Sequence, residues 1–306
     1  MSGLLLLLQV LNGVQFGILL FLMAAGLTLV FGIMNFINLA HGALYMMGAY
    51  FAVAAYGATN SFLLAIVAGV VGGMVLGVLL DRLGFYRLYR REHLDQVLAT
   101  FGVMLFLNEL VQIIWGPAPI SMTLPAMLSG PVWLLGLPYP VYRLVVVGVG
   151  LVVAAAMYLL IERTRIGMLI RAGASNRPMV SALGINIGWL NTFVFTLGIG
   201  LAGLAGTMIA PLRSVQSGMG DSVLILTLVV IVIGGIGSIR GAFLGALVVG
   251  LVDTLGRSYV PTVLGQVLPP GPASTLGAAV SSMAVYVLMV IVLSFKPAGL
   301  FPVRQG

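Results

Sequence analysis

Long apolar runs recur along almost the whole chain, most of them fifteen residues or more without a charge. Of 306 residues, 61% are hydrophobic and only 7% are charged, against about a quarter charged in water-soluble domains. No soluble fold can hide that much apolar surface, which excludes a soluble enzyme. Membrane β-strands would show segments of about ten residues that alternate in polarity. Continuous apolar runs instead predict an all-α, polytopic transmembrane helical bundle.

The first run, about Leu4 to Val30, lacks the positive start and small-residue cleavage site of a secretory signal, and the first basic residue is Arg82. It reads as a retained first span. Further runs near 42–57, 62–80, 96–114, 141–161, 189–210, 222–236, 242–256 and 276–294 bring the total to eight or nine spans. The run 222–236 is short, so it is either a span that borrows from its neighbours or a broken, re-entrant segment.

Charge sets the expected orientation. Two hydrophilic islands, 81–95 (Arg82, Arg87, Arg90, Arg91) and 162–187 (Arg163, Arg165, Arg171, Arg177), carry most of the basic residues. Cytoplasmic loops are enriched in Lys and Arg, so both islands are expected inside, joined by Arg240, Lys296 and Arg304. Arg143, Arg213 and Arg257 remain outside. This predicts an outside N-terminus and a cytoplasmic C-terminus. Basic residues confined to short segments between spans act as topology signals, so nucleic acid is not an expected partner. With no cysteine, the chain has no disulfide, no Cys-based metal site and no thiol nucleophile. The proline-rich outer stretches 115–140 and 257–275 are too short for a soluble domain, so residues 1–306 read as one transmembrane domain with no expected metal or catalytic residues.

Glycine recurs at helical spacing, in Gly69, Gly73 and Gly77, in Gly13 and Gly17, and in Gly241 and Gly245. Such faces let helix backbones approach closely, within one chain or against a second subunit. The segment GGIGSIRG (234–241) lacks the GxGxxG or GxxxxGK[ST] spacing of a phosphate loop and lies between apolar spans, so it reads as a tight turn.

Three stretches could carry function. NFINLAH places Asn35, Asn38 and His41 in an apolar region, where polar groups either cap and pair or line a solute path. Glu109 lies inside the run 96–114 and either pairs near the outer interface, with Arg143 for example, or serves a proton or a substrate ammonium. In the island 162–187, a basic start, helix-forming MLIRAGAS, Pro178 and then Gly184 describe a short amphipathic cytoplasmic helix. Such an element either docks a cytoplasmic partner or lies on anionic membrane lipid.

RTRIGMLIRAGASNRPMVSALGIN resembles the cytoplasmic loop of the membrane permeases of branched-chain amino acid ABC importers, and INLAHGALYMMGAYFA, LATFGVMLFLNELVQIIWG and VIGGIGSIRGAFLGALVVGLVDTLG resemble other signature regions of that family, in the same order. Length and span number resemble the shorter of its two permease subunits. The resemblance implies a second homologous permease, two cytoplasmic ATPase subunits that dock on a coupling helix in 162–187 and use ATP and Mg, and an extracytoplasmic solute-binding protein. This chain itself would bind no cofactor. Arg165, Gly167, Arg171, Ala172, Asn176, Ala182 and Gly184 fall on the docking-loop pattern, Asn176 where many members carry an acid. Asn38, His41, Gly42 and Gly48 fall on the first signature, and Gly234, Gly235, Gly237 and Gly241 on another. The implied role is passage of leucine, isoleucine or valine across a bacterial-type cytoplasmic (inner) membrane. Open alternatives are a permease of the same family for urea, a short amide or another amino acid, and, from another class, a stand-alone secondary transporter or channel.

Overall fold

Nine apolar helices carry the architecture in a computed structural model that describes residues 3–89, 91–134 and 136–301. Arg90 and Arg304 lie outside the described residues. The helices are α1 (Gly3–Met34), α2 (His41–Thr59), α3 (Phe62–Leu80), α4 (His93–Trp115), α5 (Val141–Arg163), α8 (Ile187–Ile209), α9 (Met219–Gly234), α10 (Ile239–Leu264) and α11 (Pro270–Phe295). Two short helices, α6 (Arg165–Ser175) and α7 (Arg177–Ala182), fill the loop between α5 and α8. Seven of the helices are long and apolar enough to cross a membrane, and α9 is a shorter apolar helix of 16 residues. At 1.5 Å per residue α9 extends about 24 Å, less than the hydrocarbon thickness of about 30 Å.

The core forms where glycines remove side chains from helix contacts. From Ile18 to Val30 every residue of α1 is buried, packed on α10, α8 and α5. Gly13 and Gly17 of α1 meet the backbone of Gly250, Leu251 and Ala246, and Gly26 meets Gly198 of α8. Gly69 and Gly73 of α3 fit against Thr207 and Gly203 of α8, and Gly241 of α10 touches Gly234 of α9. Each glycine motif read from the sequence is therefore used in packing within the chain. The sides of α3, α4, α5 and α11 that face away from this core are apolar and exposed, as lipid-facing surfaces must be.

Past Leu80 the third helix widens into a π turn, Asp81–Phe85, and continues to Leu88. The turn buries Asp81 completely, and its carboxylate accepts hydrogen bonds from Thr192 (2.5 Å) and from Tyr89. Burial, reinforced by this carboxylate, holds the Tyr89 hydroxyl above the usual phenol range. Asp81 is thus a fastener between α3 and α8.

The outer stretches differ from the sequence reading. Pro131–Leu134 (β1) and Leu137–Pro140 (β2) pair antiparallel as a hairpin, with Pro131 opposite Pro140. Helix α10 continues to Leu264 through Pro261, so only 265–269 separates it from α11. Pro261 packs directly on Gly277 of α11, occupying the place that a side chain there would take.

Candidate functional site

One end of the bundle gathers the residues of the loop 164–186 and of the turn 234–241. Thr164 caps α6, its Oγ1 accepting from the Gly167 amide (3.0 Å), and the helix folds back on the end of α5 so closely that a Cβ on Gly167 would meet the carbonyls of Leu160 and Ile161. Gly167, Ile170 and Gly173 form the buried stripe of α6. Arg165 is exposed and Ala172 half-buried. Arg171, though exposed, lies back along α5, donating to the Ile161 carbonyl and lying 3.8 Å from Glu162. Glu162 also pairs with Arg240 at 3.4 Å, and the Arg240 guanidinium stacks over Tyr158.

Asn176 starts α7, its Oδ1 accepting from the Met179 amide at 3.0 Å. Asparagine and aspartate both perform this capping. Ala182 and Gly184 are exposed, and Gly184 stops the helix with φ of 82°. Met168, Met179 and Leu183 stand out from the loop at 56%, 58% and 72% exposure. An apolar set of this kind on an otherwise basic loop is a surface for contact.

Arg177 ties this loop to the core. Its guanidinium donates through Nε (3.1 Å) and an η nitrogen to the carbonyl of Ile33, in the last turn of α1, and partial burial lowers its pKa. The last-turn carbonyls of a helix lack intrahelical partners, so a cation there is favourable. A cavity of about 970 Å³ opens beside this contact, between the ends of α1 and α5, α6 and the turn 236–240. That turn uses positive φ at Gly235 and Gly237, and Ser238 caps α10 through the Gly241 amide (3.0 Å).

Beyond Met34 the chain leaves helical geometry. Asn35 ends α1 with a left-handed φ of 49°, is exposed, and bonds His93 weakly at 3.5 Å. Phe36 wedges among Phe85, Tyr89 and Phe195. The backbone then runs along α4, where the Ile37 amide donates to Gln96 (3.3 Å) and the Leu39 amide to Thr100 (3.1 Å). These two side chains satisfy non-helical backbone at membrane depth. Helix α2 therefore begins deep in the bundle, with His41 beside the Met23 carbonyl (3.3 Å). Asn38 and His41 are 2% and 0% exposed, and neither Asn38 amide atom nor His41 Nδ1 has a partner among the described residues.

A matching arrangement starts α9. Val215 pairs with Ile120, Ser217 donates to the Asn108 carbonyl (2.8 Å), and Asn108 Nδ2 donates to Asp221 (3.4 Å). The first turns of α2 and α9 touch through Gly42 and Gly220. Gly48, one turn and a half further along α2, instead packs on Gly203. Glu109 points away from this meeting point, exposed and bonded to Gln112 at 3.5 Å, while Arg143 bonds Asn12. The structure thus places Asn38, His41 and Gly42 at the start of α2, where Gly42 touches Gly220, the neighbour of Asp221 in α9, leaves Asn35 at the rim, and sets Glu109 apart. Gln96 and Thr100 went unread in the sequence; their signal is two polar residues four apart on an otherwise apolar helix.

Comparison with known proteins agrees with this geometry. Residues 9–293 match the family described as the permease component of branched-chain amino acid transport systems. The chain is 28% identical to the high-affinity branched-chain amino acid transport system permease protein LivH of Escherichia coli K12, over 95% of this chain and 94% of that one. It is equally similar, with the same coverage, to the permease BraD of Pseudomonas aeruginosa. It is also 28% identical to the ribose import permease RbsC of Escherichia coli K12, over 76% of this chain and 72% of that one. Among solved structures, an inward-facing metal-chelate type ABC transporter shares the fold with a TM-score of 0.50 and 17% identity, covering 93% of this chain and 85% of that one.

Proposed function

The chain belongs to the permease family of branched-chain amino acid transport systems, and on that premise we propose that it is one membrane subunit of an ATP-driven importer that passes leucine, isoleucine or valine. Its partners are a second homologous permease, two ATPase subunits that use ATP and Mg, and an extracytoplasmic binding protein that delivers the solute. The chain itself hydrolyses nothing.

The observation that carries this reading is the bond from Arg177 to the Ile33 carbonyl. Exposed Met168, Met179 and Leu183 give the ATPase a contact surface, and Arg177 transmits movement of that surface to the end of α1. Five residues further on stands Asn38, and then His41, at the mouth of α2. A displaced α6–α7 unit thereby moves the polar set that we assign to the solute path. The cavity beside α6 gives it room to shift. ATP binding would favour one arrangement over the other by the difference in contact energy on the ATPase side.

Orientation follows from charge. Arg82, Arg87, Arg91, Arg163, Arg165, Arg171, Arg177, Arg240 and Lys296 share the α6 end of the bundle, and Arg143, Arg213 and Arg257 share the other. By positive-inside bias the α6 end, with the loop 164–186 and the turn 235–238, would face the cytoplasm and the ATPase.

The test is uptake of labelled leucine into vesicles carrying the assembled complex. Uptake should require ATP and fall at least tenfold in Arg177→Gln, with ATPase subunits still bound. Uptake that survives ATP depletion and stops with a protonophore would overturn the reading in favour of a secondary transporter. The likeness to a ribose import permease favours a second reading, a permease of the same architecture for another small solute such as urea, a short amide or a different amino acid. Identification of the cognate binding protein's ligand separates the two.

A further inference from the structure

At the end opposite α6, the arginines of that end converge. Arg143 of α5, Arg213 just after α8, and Arg257 of α10 line one cavity of about 240 Å³. Asn12, Gln15 and Asp253 complete its polar lining, and Phe16, Leu19, Ile209 and Leu212 supply an apolar part.

The charges do not balance. Arg257 is committed to Asp253, with Nε 2.9 Å from each carboxylate oxygen. Arg143 donates to Asn12 Oδ1, which also accepts from Tyr139 at 3.3 Å. Arg213 is exposed, and its side chain makes no hydrogen bond or ion pair among the described residues. Three guanidinium groups thus face one carboxylate, with the donors of Arg213 free. A planar guanidinium is matched to an oxyanion that accepts two parallel bonds.

Size narrows the ligand. A space of about 240 Å³ suits a small solute and not a macromolecule. We propose that this cup is a binding site for a small amphiphilic carboxylate, about as large as a branched-chain amino acid. Arg213 and Arg143 take the carboxylate, and the apolar body rests on Phe16, Leu19, Ile209 and Leu212. A lipid phosphate shares the oxyanion chemistry, and the experiment separates the two. That the carboxylate is the transported solute rests on the function proposed above; the site itself does not.

The experiment is equilibrium binding of labelled leucine to the assembled complex in detergent, without ATP or binding protein, competed with 4-methylpentanoate, which lacks the amine, and 3-methylbutylamine, which lacks the carboxylate. Saturable binding displaced by the acid, not by the amine, and weakened about ten- to a hundredfold by Arg213→Gln with partial recovery in Arg213→Lys, is expected. Exposure of Arg213 leaves folding intact in both variants. Absence of saturable binding, equal displacement by the amine, or unchanged affinity in Arg213→Gln overturns the proposal. So does native mass spectrometry that finds a phospholipid held by the wild type and lost in Arg213→Gln. ATP-driven leucine uptake with normal binding in Arg213→Gln would sink the site alone. Uptake restricted to some other solute, with 4-methylpentanoate still bound, would sink the function alone.

Discussion

Asn38 is buried with neither end of its amide bonded among the described residues, an arrangement that costs about 1–3 kcal/mol in a folded protein. Asn38→Leu should therefore leave thermal stability unchanged or higher while leucine uptake falls; a variant that melts earlier and transports normally would contradict a role in the path. Gly167 makes the opposite kind of demand, because any side chain there meets the carbonyls of Leu160 and Ile161. Gly167→Ala should lower stability by about 1–3 kcal/mol and reduce recovery of ATPase subunits with the purified permease. The sequence displayed both residues, Asn38 through its apolar surroundings and Gly167 through the loop pattern. It hid Asp81, because an acid next to Arg82 looks interfacial until the π turn buries it against Thr192 and Tyr89. It also hid the bonds of Gln96 and Thr100, which exist only because α1 stops short and its continuation lies along α4.

Helices were legible wherever hydropathy alone decides them. Boundaries were less so, since apolar content ends where polar residues begin and the hydrogen-bonded helix does not. Helix α10 runs past Asp253 and Arg257 because these two neutralise each other one turn apart. The loop element α6–α7 was foreseen from Pro178 and Gly184, whereas its attachment to α1 joins residues far apart in sequence. That attachment predicts a specific separation of activities. In Arg177→Gln, ATPase turnover in the assembled complex should persist while uptake is lost, and Arg177→Lys should recover part of it, measured as solute moved per ATP consumed. Loss of both activities together would place Arg177 in assembly instead.

Across the whole molecule, the segregation of basic residues to one end makes a prediction that the absence of cysteine renders convenient to test. Ser181→Cys, exposed on α7, should react with a membrane-impermeant maleimide in inside-out vesicles alone, and Ser274→Cys, exposed at the start of α11, in right-side-out vesicles alone. The reverse pattern would invert the orientation. The glycine contacts carry a further consequence. Helices held backbone to backbone at Gly17, Gly26, Gly48 and Gly241 have little slack between them, so the body they form resists bending. Compliance is left to the two strips of non-helical chain at 35–40 and 210–218, which lead into α2 and α9 and whose helices meet at Gly42 and Gly220. A stroke entering through Arg177, as proposed above, would be absorbed first in the strip beside it, which makes of the helices a stiff frame around a pair of joints.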